Sequence, residues 1–152
     1  MLRLTKLTDY GILLMARMAA SEQDLFAATE LAESTRIPAP TVSKILQTLL
    51  HEGLLVSIRG AKGGYRLARP ASQINVRDII TVFEGSIALT ECNLDHANCD
   101  QSEGCDTSSN WKRINQAVSQ ALESITLADM SEQDFMPVFK LQRSISLKVV
   151  QS

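Results

Sequence analysis

Apolar residues recur at three-to-four spacing through Leu7, Tyr10, Leu14 and Met18, while Asp9 and Arg17 fall off that stripe. This periodicity predicts a first helix from about Leu7 to Ala20. The polar run Ser21-Glu22-Gln23-Asp24 breaks it. A short second helix is expected over Ala28–Ser34 and a third over Pro40–His51. Pro38 and Pro40 suit a turn and a first helical position, where a missing N–H is harmless. In the third helix Val42, Ile45, Leu46, Leu49 and Leu50 face inward, leaving Thr41, Ser43, Lys44, Gln47 and Thr48 outside. Gly53 is a natural stop.

The period then changes. Leu54–Ile58 and Tyr65–Ala68 read as two short strands, separated by Arg59-Gly60-Ala61-Lys62-Gly63-Gly64, a tip that holds three of the seven glycines. This is the pattern of a β-hairpin with a flexible basic end. Pro70 closes it, and Val76–Glu84 is expected to form another helix ended by Gly85. Residues 86–110 are polar and acidic with no usable period. An irregular segment of that length in a small protein is usually functional or disordered. Helical spacing returns at Trp111, Ile114, Val118, Ala121, Leu122 and Ile125. From Leu127 to Ser152 the apolar residues follow no firm pattern, and the chain has no internal repeat.

With 152 residues, 45% hydrophobic and 21% charged, the composition is that of one globular domain or a small domain with an appendage. Seven Gly and four Pro exclude collagen-like and linker-dominated architectures. No apolar run approaches the roughly 18 residues of a membrane span. The opening Met1-Leu2-Arg3-Leu4-Thr5-Lys6 lacks the marks of a secretory signal, so a cytoplasmic protein without a membrane partner is expected. Charge is unevenly placed. Residues 1–70 carry nine Lys/Arg against six acids, a net +3, and residues 71–152 carry six against eleven, a net −5. A basic front half on an acidic protein points weakly to a local polyanion partner.

Helix, short helix, turn, helix and a glycine-tipped basic hairpin is the order of a winged helix-turn-helix. The expected fold is therefore mainly α with a small β-hairpin wing, followed by a long helix. A helix with small polar and basic residues outward can lie in a major groove of double-stranded DNA, where Thr41, Ser43, Lys44 and Gln47 would reach bases and phosphates. Arg59 and Lys62 on the wing can meet the backbone or a minor groove. The competing reading is an ordinary helical bundle with a surface hairpin. The tip is not a P-loop, because the Gly-x₄-Gly-Lys-Ser/Thr order is absent.

Cys92, Cys99 and Cys105 fall within fourteen residues. An odd count in a reducing compartment argues for metal or redox chemistry over structural disulfides. Spacings of six and five intervening residues are loose for zinc, which usually has a Cys-x₂₋₄-Cys pair. A wide loop can wrap an iron–sulfur core. Unligated thiols, zinc and a transient disulfide stay open on spacing alone. His96 lies inside the loop and is as well explained by solvation as by ligation, and His51 sits at the third helix's C-terminal end, a common structural position. No Cys–His spacing or Gly-x-Ser-x-Gly elbow suggests an enzyme or a small-molecule substrate. The stripe Trp111, Ile114, Val118, Leu122 and Ile125 is expected to be a packing or dimer seam.

The opening Leu-Thr-Lys-Leu-Thr-Asp-Tyr-Gly (4–11), the hairpin Val-Ser-Ile-Arg-Gly-Ala-Lys-Gly-Gly-Tyr-Arg-Leu (56–67) and the three-cysteine loop together resemble the IscR/NsrR family of Rrf-type winged-helix transcription regulators. The likeness covers about residues 2–130. Ile87–Cys92, Asn110–Asn115 and Leu127–Met130 resemble most the regulators of Suf iron–sulfur assembly genes. The resemblance implies that Cys92, Cys99 and Cys105 ligate a 2Fe–2S or 4Fe–4S cluster. It implies a homodimer formed through the helix that carries Trp111 to Ile125, and a repressor of iron–sulfur assembly genes. In the NsrR branch an aspartate of the opposite subunit's first helix completes the cluster, and Asp9 stands at that place. The IscR branch uses a histidine three residues after the third cysteine, where this chain has Ser108. Without a cluster, Asp9 would simply gain about 0.3–1 kcal/mol from the first helix's dipole. The implied organisation is a DNA-binding domain at 1–84, a cluster loop at 85–109, a dimerisation helix and its end at 110–130, and a tail at 131–152. A nitric-oxide-responsive regulator of the same fold, or an iron–sulfur electron carrier, are the alternatives.

Overall fold

The computed structural model describes residues 3–90 and 108–132; the cysteine loop and the tail lie outside the described residues. Helices α1 (Lys6–Ala19), α2 (Ala28–Thr35) and α3 (Ala39–His51) are followed by strands β1 (Leu55–Ile58) and β2 (Gly64–Leu67). A single 3₁₀ turn at Ala71–Gln73 leads into α4 (Val76–Glu84), and then come α5 (Ser108–Glu123) and α6 (Leu127–Ser131). The mainly helical fold with a hairpin wing is the one expected, and most ends fall within a residue or two of the sequence pattern.

Each helix end has a local cause. Thr5 caps α1 by accepting from the Thr8 N–H. α2 stops at Arg36, which adopts the left-handed conformation at φ 59°, unusual for a side chain of that size. α3 follows Pro38, whose carbonyl accepts from Thr41 and Val42 at 2.9 and 3.0 Å. The Asn75 side chain caps α4 by accepting from Asp78 N–H at 2.8 Å.

β1 and β2 pair antiparallel in the register Leu55–Leu67, Val56–Arg66, Ser57–Tyr65 and Ile58–Gly64. The hairpin is stitched to the helices by a third short pairing, in which Phe26 and Tyr65 exchange N–H···O bonds of 2.9 and 2.8 Å. Glycine is required at position 64, since a Cβ there would stand 2.5 Å from the Phe26 carbonyl oxygen. At the tip, Gly60 takes φ +120°, a conformation L side chains rarely adopt.

One core joins all of this. Leu14 and Met15 of α1, Leu31 of α2, Ile45, Leu46 and Leu49 of α3, Leu55 of β1, and Ile74 and Ile79 are all essentially fully buried. Burial of such side chains contributes about 1.5–3 kcal/mol each. Leu127 of α6 belongs to the same core. It is held there because Val76 N–H donates to Ile125 O at 2.9 Å and Leu127 N–H to Ile74 O at 2.7 Å.

Two expectations need correction. The helix expected to run through Ile125 ends at Glu123, and Ile125 instead lies in the short ladder beside α4, its peptide used for pairing. The segment from Leu127, where no pattern was expected, opens with a capped helical turn. Thr126 accepts from Asp129 N–H at 3.1 Å, while Asp129 accepts from Thr126 N–H at 2.8 Å. α5 packs against α4, and Arg77 pairs with Glu123 across that contact.

Candidate nucleic-acid interface and the approach to the cysteine segment

α3 separates its residues by chemistry. Val42, Ile45, Leu46 and Leu49 are buried against α2 and β1, while Ser43, Lys44 and Gln47 are exposed on the other side. Thr41 is half-buried, a less open position than the sequence suggested. The Thr48 hydroxyl donates back to Lys44 O at 2.9 Å and is thereby engaged within the helix. Gly53, at φ +75°, turns the chain from α3 into the wing. Arg59 and Lys62 sit on the exposed tip between the strands. Among the described residues, no ion pair engages Lys44, Arg59 or Lys62.

Two further exposed cations, one ahead of α3 and one on the wing, were not singled out from the sequence. Arg36 is exposed in the turn between α2 and α3, and Arg66 is exposed on β2. Neither is in an ion pair among the described residues. For Arg36 the available signal was its place directly ahead of a helix whose outer face is polar. An exposed, unpaired set of Lys and Arg around one polar helix face is suited to neutralise phosphates, and the small polar side chains between them can reach base edges.

Cys92, Cys99, Cys105 and His96 lie outside the described residues. Asp9 is exposed in the first turn of α1. Its carboxylate makes no hydrogen bond or ion pair among the described residues, in contrast to its surroundings. Thr8, beside it, is fully buried and donates its hydroxyl to the Glu84 carboxylate. The Thr5 N–H donates to the same oxygen at 2.8 Å. These bonds, from the Thr8 hydroxyl first and Thr5 next, hold Glu84 below the usual carboxylate range. Glu84 ends α4, immediately before the chain heads toward the cysteines. The start of that path, on the other side, is held by α5: Asn115 donates to Ile87 O at 2.9 Å and accepts from Leu89 N–H at 3.0 Å. Glu84 and Asn115 were not among the residues expected to matter.

The α5 stripe is unevenly covered. Trp111 and Ile114 are 41% and 45% exposed, whereas Val118 and Leu122, like Ile125 beyond the helix end, are half-buried. No helix among the described residues is long and apolar enough to cross a membrane.

Residues 4–133 match the Rrf2 family model, described as an iron-dependent transcriptional regulator. The chain is 32% identical to the HTH-type transcriptional regulator NsrR of Oceanobacillus iheyensis, over 93% of this chain and 99% of that protein. It is 30% identical to the HTH-type transcriptional regulator IscR of Yersinia enterocolitica, over 94% of this chain and 88% of the other. Among solved structures it is similar to CymR, the global cysteine regulator of B. subtilis, with a TM-score of 0.68 and 30% identity over 86% of this chain and 97% of that one. The exposed helix face, the basic wing and these likenesses agree, and they leave no support for an electron carrier or an enzyme. The chain belongs to the Rrf2 family of transcription regulators, a DNA-binding family.

Proposed function

We propose that this regulator is a cytoplasmic homodimer that represses iron–sulfur assembly genes and senses through an iron–sulfur cluster, 2Fe–2S or 4Fe–4S, bound by its cysteine segment. The observation that carries the reading is the pairing of a polar and basic surface, free of ion pairs among the described residues, with three cysteines inside fourteen residues. The regions 1–84, 85–109, 110–130 and 131–152 then serve as DNA-binding domain, ligand loop, dimerisation helix with its end, and tail.

The donor set fits the group. Three soft thiolates suit iron–sulfur chemistry. Asp9 presents the one carboxylate of α1, exposed and committed to nothing else among the described residues. Cys92, Cys99 and Cys105, with Asp9 of the partner protomer, would hold the cluster, which supplies a redox- and ligand-sensitive centre when bound. The chain's own residues do the rest. Thr41, Ser43, Lys44 and Gln47 on α3 dock in the major groove, and Arg59 and Lys62 grip the backbone beside it. Trp111, Ile114, Val118, Leu122 and Ile125 meet their copies and set the separation of the two α3 helices. A change at the cysteine segment biases that separation, and with it operator affinity.

The test is anaerobic purification with iron and sulfide counts, followed by operator binding with and without the bound group. Iron with acid-labile sulfide is expected, with its visible absorbance lost in Cys92→Ala, Cys99→Ala or Cys105→Ala. Asp9→Ala should leave a folded dimer whose cluster has an altered spectrum or is lost faster. Stoichiometric zinc without sulfide would overturn the sensing assignment. Specific DNA binding by a protein that never takes up iron would leave a metal-independent regulator. Occupancy of nitric-oxide-response promoters in place of assembly promoters would redirect the signal.

A further inference from the structure

The Asn115 side chain of α5 binds the main chain of the segment that leads to the cysteines. Its amide accepts from Leu89 N–H and donates to Ile87 O, the pattern a neighbouring β-strand would present to residues i and i+2 of an extended chain. Only one orientation of the amide satisfies both bonds, so the side chain is fixed on the segment and the segment on α5. Both contacts are partly buried. Three residues beyond Leu89 is Cys92. Five residues before it is Glu84, anchored on the first turn of α1 by the Thr5 N–H and Thr8 hydroxyl. The chain from Glu84 to Leu89 is therefore held at two points, at Glu84 on the helix that carries Asp9 and at Ile87 and Leu89 on the helix that carries Trp111 and Ile114.

We propose that Asn115 is a positioning residue that fixes the main chain ahead of Cys92 onto α5, so that a change at the cysteine segment is felt by α5. The inference rests on the iron–sulfur reading above. Asn115 is not a ligand. It transmits, because displacement of residues 87–89 breaks two bonds to one α5 side chain, while the exposed neighbour Gln116 makes no such contact among the described residues.

The experiment uses the full-length dimer, loaded and metal-free. In metal-free Asn115→Ala, the Leu89 amide should exchange faster with solvent while helix content and dimerisation match wild type. In loaded Asn115→Ala, cluster loss to a chelator should be faster by about tenfold, the scale of losing one to two such hydrogen bonds. The ratio of operator affinities with and without the cluster should shrink toward one, with metal-free affinity unchanged. A residue that merely stabilised the fold would not move that ratio. Asn115→Asp, which keeps the acceptor for Leu89 and loses the donor to Ile87, should fall between, and it serves if the alanine variant folds poorly. Gln116→Ala should behave as wild type. A loaded wild type alongside Asn115 variants with unchanged loss rate and affinity ratio would overturn the positioning role alone. A wild type that never loads would instead overturn the sensing reading, and this inference would fall with it.

Discussion

α3 and α5 are helices of comparable length that treat their apolar residues in opposite ways. α3 has its apolar side, Val42, Ile45, Leu46 and Leu49, wholly covered by its own chain, and beyond Ala39 and Pro40 in its first turn it exposes polar and basic groups. α5 leaves Trp111 and Ile114 in water and half-covers Val118 and Leu122. The first arrangement suits a charged, hydrated partner such as DNA, because nothing apolar is left to hide. The second suits an apolar partner, since large exposed apolar patches mark association surfaces. If the proposed seam is real, the folded body and the association surface are carried on separate helices, and mutations should sort accordingly.

The widest separation is expected at α5. Ile114→Asp or Val118→Asp places an unpaired charge in each half of a two-fold seam, a penalty of about 3–5 kcal/mol. Sedimentation should then show monomers with wild-type helix content, and an intact dimer would assign the stripe to another role. On α3 the corresponding blow is to the fold. Leu46→Ala opens a cavity in the core and should cost about 2–5 kcal/mol in chemical denaturation, with the dimer contact itself untouched. At α3's outer face the effects are smaller and confined to DNA. Lys44→Ala and Arg59→Ala should each weaken operator binding without changing stability. If Lys44 meets only phosphate, its loss should be uniform across sequences and lower the salt slope by about one. Unchanged affinity in both variants would remove the docking arrangement.

The smallest effect concerns the capped turn that returns the chain to the body after α5. The Thr126 N–H, and then its hydroxyl, hold Asp129 below the usual aspartate range. A depressed folded value means that its stabilisation is complete above the unfolded value. It is lost as pH falls through the folded one, in the region below about pH 4. Asp129→Asn should therefore flatten the acid side of the stability profile and leave neutral-pH DNA binding alone. A profile that keeps its wild-type acid limb would show that the cap contributes nothing.

How much could be read in advance follows the same division. α4 was delimited at both ends, because Asn75 caps it and Gly85 stops it, and both signals are local. The polar face of α3 was legible because four buried residues at helical spacing define its opposite. α6 is too short to show a period, although Thr126-x-x-Asp129 carried a capping-box signature. Ile125 was placed on the wrong element because its peptide pairs with Val76, a long-range choice no local pattern encodes. The roles of Glu84 and Asn115 depend on contacts across 79 and 28 positions respectively. At the candidate site, residue types that face solvent were readable, and residues that hold main chain were not.

The ladder in which Asn75 faces Thr126 has a consequence for how the chain tolerates change. The chain leaves the C-terminal end of α4 at Gly85 and returns to that helix's N-terminal end at Ile125, so the intervening stretch is a detour tied to α4 at both ends. The entropic cost of closing a loop rises only logarithmically with its length. Residues can be added to or removed from the part of the detour between Thr90 and α5 for a fraction of a kcal/mol while α1, α3 and the wing keep their places. The same body can then carry detours of different length and chemistry, and a new signal need not be negotiated with the DNA-reading surface.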